Sequence, residues 1–362
     1  MTNYIDEFRD KAVIQKIVDC LNAYSGPELK IMEVCGTHTM AISRYGLRSL
    51  LPKGIELLSG PGCPVCVTPT GYIDTATELA DNRDVIVTTF GDLMRIPGND
   101  STLLLKKAKG SRVQMVYSPL NSLETAKANP DKEVVFLSVG FETTTPVIAL
   151  SVLKAREEGI KNFSVLTANK TMPEAVKTLA GDKELALDGF IYPGHVSAII
   201  GTDFFSYVAY NMEKAGVIAG FEPLDILYSI NVLLKNISEG KNVLENAYSR
   251  IVAKEGNIKA QQKMYQVFEP VDAVWRGIGL IPGSGLGLRK EYEDYDTMKK
   301  FGIKPKDSPE PKGCLCGEVL KGKKKPLDCK LYKSRCTPEN PVGACMVSAE
   351  GTCAAYYKYG DQ

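Results

Sequence analysis

The spacing of apolar positions along this chain changes near residue 30. Before it, Phe8, Val13, Ile14, Ile17, Val18 and Leu21 recur at helical intervals and predict an amphipathic helix over 7–24. Cys20 lies inside that pattern and is expected to be a small, inert core residue. Beyond it, short apolar runs alternate with helix-like stretches. Candidate strands fall at 31–34, 55–58, 85–89 and 113–117, then at 134–139, 163–167, 189–192 and 217–219. Each gives way to a loop rich in Gly, Pro, Thr or Ser, then to helical spacing. That alternation predicts an α/β fold with parallel sheets covered by helices. Two sets of four strands predict two Rossmann-like lobes. The first, with the leading helix, spans 1–120; the second spans 121–289, with part of 222–289 returning to the first. Gly140-Phe141-Glu142 and Gly220-Phe221-Glu222, each after an apolar run, support a duplicated plan.

Residues 222–268 read as mainly helical. An apolar run over 274–281 then breaks at Pro282-Gly-Ser-Gly-Leu-Gly. From about 290 the chain is polar, rich in Lys and Pro and dense in Cys. It is expected to be a small separate domain, 290–362, held by a covalent or metal staple.

Composition narrows the class. A chain of 362 residues, 44% hydrophobic and 24% charged, is that of a globular protein of two or three domains. A net charge of +1 gives no electrostatic case for nucleic acid. No basic-then-apolar leader and no long apolar span is read, so the expectation is a cytoplasmic protein. There, cysteines are mostly reduced, and metal or redox roles are favoured over structural disulfides.

Ten cysteines are present, and nine sit in motifs. Cys35-Gly-Thr-His38 falls where a strand gives way to a helix, whose N-terminus is expected to stabilise a thiolate. His38 follows closely enough to share a site; a capped helix beside a buried Cys is the plainer reading. In Gly60-Pro-Gly-Cys63-Pro-Val-Cys66 a C-x-x-C opening a helix suggests a dithiol–disulfide pair, with half a zinc site as the alternative. Gly140-Phe-Glu142-Thr-Thr-Thr offers a carboxylate among hydroxyls at a helix start, to orient a substrate or simply to cap. Pro193-Gly-His195-Val-Ser places the second histidine in a similar loop.

Six cysteines crowd the last 49 residues: Cys314, Cys316, Cys329, Cys336, Cys345 and Cys353. Four thiolates suit a [4Fe–4S] cluster, leaving two over. Zinc is the alternative, although the paired short spacings of zinc fingers are missing. Spacing does not say which four bind.

Taken together, Cys-Gly-Thr-His-Thr (35–39), Gly-Pro-Gly-Cys-Pro-Val-Cys (60–66), Gly-Phe-Glu-Thr-Thr-Thr-Pro (140–146), Pro-Gly-His-Val-Ser (193–197), Trp-Arg-Gly-Ile-Gly (275–279) and the six-cysteine tail resemble the HypD family of [NiFe]-hydrogenase maturation factors. The resemblance runs over nearly the whole chain and in the family's order. Met40 stands where many members carry a second His.

The resemblance implies a redox-active scaffold, rather than a simple turnover enzyme, on which the Fe(CN)2CO unit is assembled. Its partners would be a HypC-type chaperone and a HypE-type cyanide donor, with HypF upstream. It implies two Rossmann-like domains and a [4Fe–4S] domain. Cys35 would bind the iron together with a cysteine of the HypC-type partner, and His38 would orient or help hold it. Cys63 and Cys66 would be the redox pair. Cys314, Cys329, Cys336 and Cys353 would ligate the cluster, and Cys316 and Cys345 would form a relay disulfide. The competing reading is a free-standing iron–sulfur thiol–disulfide oxidoreductase, which leaves Cys35 and His38 idle. A zinc-stabilised interaction protein is a third.

Overall fold

The computed structural model describes residues 6–360. Nine strands form two wholly parallel sheets. One is ordered β2-β1-β7-β8-β9, from β1 (Leu29–Glu33), β2 (Ile55–Ser59), β7 (Gly189–Pro193), β8 (Ala215–Ala219) and β9 (Leu244–Asn246). The other is ordered β4-β3-β5-β6, from β3 (Val85–Thr89), β4 (Val113–Met115), β5 (Glu133–Ser138) and β6 (Phe163–Thr167). β3 and β8 are buried along their whole lengths, as strands with helices on both faces must be. That is why neither carries a charged residue.

The two lobes predicted from eight strands are present, but they are not consecutive halves of the chain. The first sheet takes β1 and β2. The chain then crosses to build the whole second sheet and returns for β7, β8 and β9. A boundary at 120 therefore divides the second sheet instead of separating two domains. Periodicity identifies a strand, but the choice of neighbour is made by long-range pairing, which leaves no local signal. β9 escaped the sequence reading because it is a three-residue edge strand in a stretch otherwise dominated by the helices Pro223–Ser238 and Ile258–Val267.

The apolar run near 274–281 becomes an antiparallel hairpin of β10 (Phe268–Trp275) and β11 (Gly279–Leu288). The region after 290 packs against both lobes. Thr297 bonds Ser164 of β6 through their hydroxyls at 2.9 Å, so the tail begins as part of the second lobe. Farther on, Cys316, Leu320 and Cys345 share one apolar core with Met32, Cys63, Cys66, Phe190 and Trp275. A polar segment with little regular structure is stabilised by burying its few apolar and sulfur side chains against the lobes.

Cys20 is exposed, contrary to expectation. The helix Lys11–Asn22 buries only Val18 and Leu21, and Cys20 is turned about 200° from Val18.

Candidate functional site

The carboxyl ends of β1, β2, β7 and β8 gather at one edge of the first sheet, where ligands bind in open parallel sheets. Cys35 and His38 follow β1, Cys63 and Cys66 follow β2, His195 follows β7, and Gly220 and Phe221 follow β8. Three cysteines and both histidines of the chain thus meet at one edge.

Cys35 is the N-cap of the helix Gly36–Arg44 and is fully buried. Two close backbone approaches bury it. Gly36 N–H donates to Gly62 O at 3.0 Å, and a Cβ on Gly62 would lie 2.3 Å from the Cys35 backbone. A Cβ on Gly36 would lie 2.5 Å from the Cβ of Glu350, a tail residue. Glu350 also accepts a bond from the Thr37 hydroxyl at 2.6 Å. Both glycines in the motifs are therefore spatial requirements.

The expected low-pKa thiolate is not found. Burial pushes the Cys35 thiol above its ordinary range. Backbone N–H groups of His38 and Thr37 oppose that shift, while the Glu33 and Glu350 carboxylates reinforce it. Desolvation outweighs the helix terminus here. Without a cation the group is a thiol, and metal binding must release its proton.

The histidines have exchanged the places that sequence proximity suggested. The imidazole beside the Cys35 sulfur is that of His195, with Nδ1 at 3.8 Å. His38 reaches Cys35 only through its backbone N–H. Its ring turns away, and Nε2–H donates to Gly220 O at 2.8 Å. That bond fixes the tautomer and leaves Nδ1 a buried acceptor without a partner. Burial lowers both histidines to about 4, so both rings are neutral. Phe221 lies against both, 4.9 Å from His38 and 5.2 Å from His195 between ring centres.

Glu33 was missed from sequence because it reads as one more strand residue. It is fully buried, and Oε2 accepts the Cys35 N–H at 3.0 Å while Oε1 accepts the Thr39 hydroxyl. Burial raises its carboxyl to about 7.

Cys63 and Cys66 lie on a tight turn in the segment that crosses between the lobes, not at a helix start. The next helix begins only at Thr70. Cys63 Sγ–H donates to Ser348 Oγ at 3.3 Å. Cys63, Cys66, Cys316 and Cys345 are buried in one core, with Cys314 and Cys353 packed against it. Cys316 and Cys345 are free thiols whose sulfurs lie 2.7 Å apart. Cys66 gains some relief from Cys345, but contact with Cys63 and burial hold its thiol well above the usual range.

All six tail cysteines line one small pocket with Leu315, Val319, Leu331, Tyr332 and Met346. Burial, then the neighbouring sulfurs of Cys316, Cys314, Cys336 and Cys329, raise the Cys353 thiol. Among the described residues, no three His, Cys, Asp or Glu side chains are set to hold a single metal ion.

Glu142 belongs to the other lobe and makes no hydrogen bond to any of these cysteines or histidines. It follows β5, and Oε1 accepts the Met172 N–H at 2.9 Å, at the start of the helix Met172–Ala180. Its second oxygen is buried without a partner, and burial raises its carboxyl to about 7.

Comparison with known proteins covers the whole chain. The family model described as "HypD: Hydrogenase formation hypA family" matches residues 10–360. Hydrogenase maturation factor HypD2 of Bradyrhizobium diazoefficiens is 44% identical over 367 residues, covering 99% of this chain and 97% of its own. Hydrogenase maturation factor HypD of Rhodobacter capsulatus is 44% identical over 369 residues, covering 99% and 98%. A putative hydrogenase expression/formation protein of Methanocaldococcus jannaschii is 42% identical over 352 residues, covering 97% and 98%. No helix among the described residues is long and apolar enough to cross a membrane.

Proposed function

This chain belongs to the HypD family of hydrogenase maturation factors, and on that premise we propose that it is the scaffold on which the iron of an Fe(CN)2CO unit is held while its ligands are added. The iron is cargo, carried on the thiolate of Cys35 together with a cysteine of a HypC-type chaperone. A HypE-type protein, with HypF upstream, supplies the cyanide. The observation that carries the reading is the meeting of Cys35, His195 and the orphaned Nδ1 of His38 with the Cys63/Cys66 turn at one sheet edge. A soft thiolate and neutral imidazoles suit iron that also carries cyanide and carbon monoxide.

A [4Fe–4S] cluster would be held by Cys314, Cys329, Cys336 and Cys353, and when bound would supply single electrons. The donor set fits. The tail thiols ring an apolar pocket, and among the described residues no three ligating side chains converge on one point as a zinc site would require. Cys316 and Cys345, in contact, act as a dithiol–disulfide couple. Their exchange with an oxidised Cys63/Cys66 pair proceeds when one tail thiolate attacks. It makes one S–S bond, breaks another and moves two electrons and two protons. Cys66 and Cys345 lie in the same buried core, which supports an exchange between the two pairs.

Anaerobic co-purification with its HypC-type partner tests the reading. Infrared bands of iron-bound cyanide and carbon monoxide are expected in the wild-type complex and absent from Cys35→Ala. Their retention in that variant would remove Cys35 from the iron site. Turnover of a small disulfide by the chain alone would favour the oxidoreductase.

A further inference from the structure

Trp275-Arg276-Gly-Ile-Gly shares a core with the sulfur site on one side and forms one wall of a large cleft on the other. That cleft, of about 930 Å³, lies at the carboxyl end of β6, between Leu166–Lys170, the β10–β11 hairpin and the start of the helix Thr70–Leu79. Its volume falls in the range of small-molecule sites.

Two cationic side chains line it, and both are almost completely buried. Lys170 is 3% exposed and Arg276 is 2% exposed. Lys170 is held by its backbone: its N–H donates to Gly140 O at 3.0 Å, and it bridges to Gly285 of β11. Its Nζ stands 5.9 Å from the centre of the Trp275 ring and has no hydrogen-bond acceptor or ion-pair partner among the described residues. Arg276 donates from Nε to Thr68 O and from Nη1 to Glu310, while Nη2 is buried without a partner. A buried ammonium without an anion is costly, and burial alone lowers Lys170 to about 8.

The charge balance narrows the ligand. Arg276 is neutralised by Glu310 and Lys306 by Glu78. Asp272 and Asp307 are exposed at the rim. Of the cations lining the cleft, Lys170 alone lacks a carboxylate partner among the described residues, so a single oxyanion suits the floor. The rim carboxylates would repel a dianion. The outer wall is apolar and solvent-facing, with Val271 40%, Val274 49% and Leu280 63% exposed. An apolar body is therefore desolvated while one oxyanion head meets the ammonium and the free edge of the guanidinium.

We propose that this cleft is a binding site for an organic monocarboxylate with an apolar body, its carboxylate held by Lys170 and Arg276. The cleft adjoins the sulfur centre across Trp275, but the proposal does not depend on the scaffold reading.

Trp275 is the only tryptophan of the chain and stands beside the proposed carboxylate. Titration of the full chain with hexanoate, followed by tryptophan fluorescence, is expected to give a saturable shift. Hexanamide, the neutral counterpart, and inorganic phosphate, an anion without an apolar body, are expected to bind at least tenfold more weakly. Lys170→Met keeps the bulk and removes the charge, and should weaken hexanoate tenfold or more. Val274→Glu, on the exposed wall, should weaken it several-fold through like-charge repulsion without touching the core. The proposal is overturned by the absence of a saturable shift in the wild type. It is equally overturned by hexanamide or phosphate binding as well as hexanoate, or by unchanged hexanoate binding in Lys170→Met.

Discussion

The same parallel-sheet edge has been used in two opposite ways. At the first sheet the loops are closed onto one another: Gly62 touches the Cys35 backbone, Glu350 covers Gly36, and thiols and neutral imidazoles fill the space. At the second sheet the corresponding edge is open, and a cleft of about 930 Å³ runs beneath a hairpin with Lys170 at its floor. The β-α pattern creates the edge in both lobes. Whether it becomes a sealed reaction site or an accessible pocket depends on what the rest of the chain lays across it.

The largest test of that contrast is Gly62→Ala. A methyl group at that position has backbone atoms of Cys35 on three sides, within 2.5 Å. A cost of about 3 kcal/mol is expected from overpacking, read by chemical denaturation, together with loss of the cyanide and carbon monoxide bands. Stability within about 0.5 kcal/mol of the wild type would show that the closed edge is loose.

Titration separates the two edges next. Glu142 stands at about 7 in the fold against an ordinary 4.5, so it contributes stability that is complete below its unfolded value. That contribution is lost as pH rises through 7, on the order of 3 kcal/mol. Glu142→Gln should flatten the decline in unfolding free energy between pH 4.5 and 7.5; an unchanged slope would place the dependence elsewhere, with Glu33 the first alternative.

The histidines at the closed edge have the opposite sign. Their folded values, about 4, lie below the ordinary 6.5, so the stability they contribute is present above 6.5 and is lost as pH falls toward 4. His38→Asn should cost about 2 kcal/mol at pH 7.5, because the buried Gly220 carbonyl loses its donor. It should cost less at pH 5, where charging already burdens the wild type. An equal cost at both pH values would contradict the neutral, buried assignment.

The smallest effect is expected at the open edge. A Cβ on Gly91, just after β3, would lie 3.1 Å from the sulfur of the exposed Met115 side chain. Gly91→Ala should change unfolding free energy by less than about 1 kcal/mol. A loss comparable to that of Gly62→Ala would mean that both edges are equally closed.

Much of the site was legible because its chemistry is carried by residue type. Cys35, Cys63, Cys66 and the six tail cysteines stood out in Gly-rich loops or at high density, and Cys63, Cys66, Cys316 and Cys345 share one buried core. Proximity along the chain misled in the details. His38 is three residues from Cys35, yet His195, 160 residues away, presents its ring to that sulfur. Glu33 gave no signal because a buried carboxylate in a strand looks like any strand residue. Ser348 and Glu350, which contact Cys63 and Thr37, were hidden because their partners lie about 300 residues upstream.

Sequence alone determined eight of the nine strands of the parallel sheets, the sulfur inventory and the family, because backbone period, side-chain type and motif order are local properties. Tertiary structure alone decided that the lobes interleave and that the tail shares a core with the Cys63/Cys66 turn. It also decided that Cys35 is a high-pKa thiol and that the second edge stays open around Lys170. Pairing between distant strands, and the desolvation that follows from it, are set by segments that meet only in the folded chain.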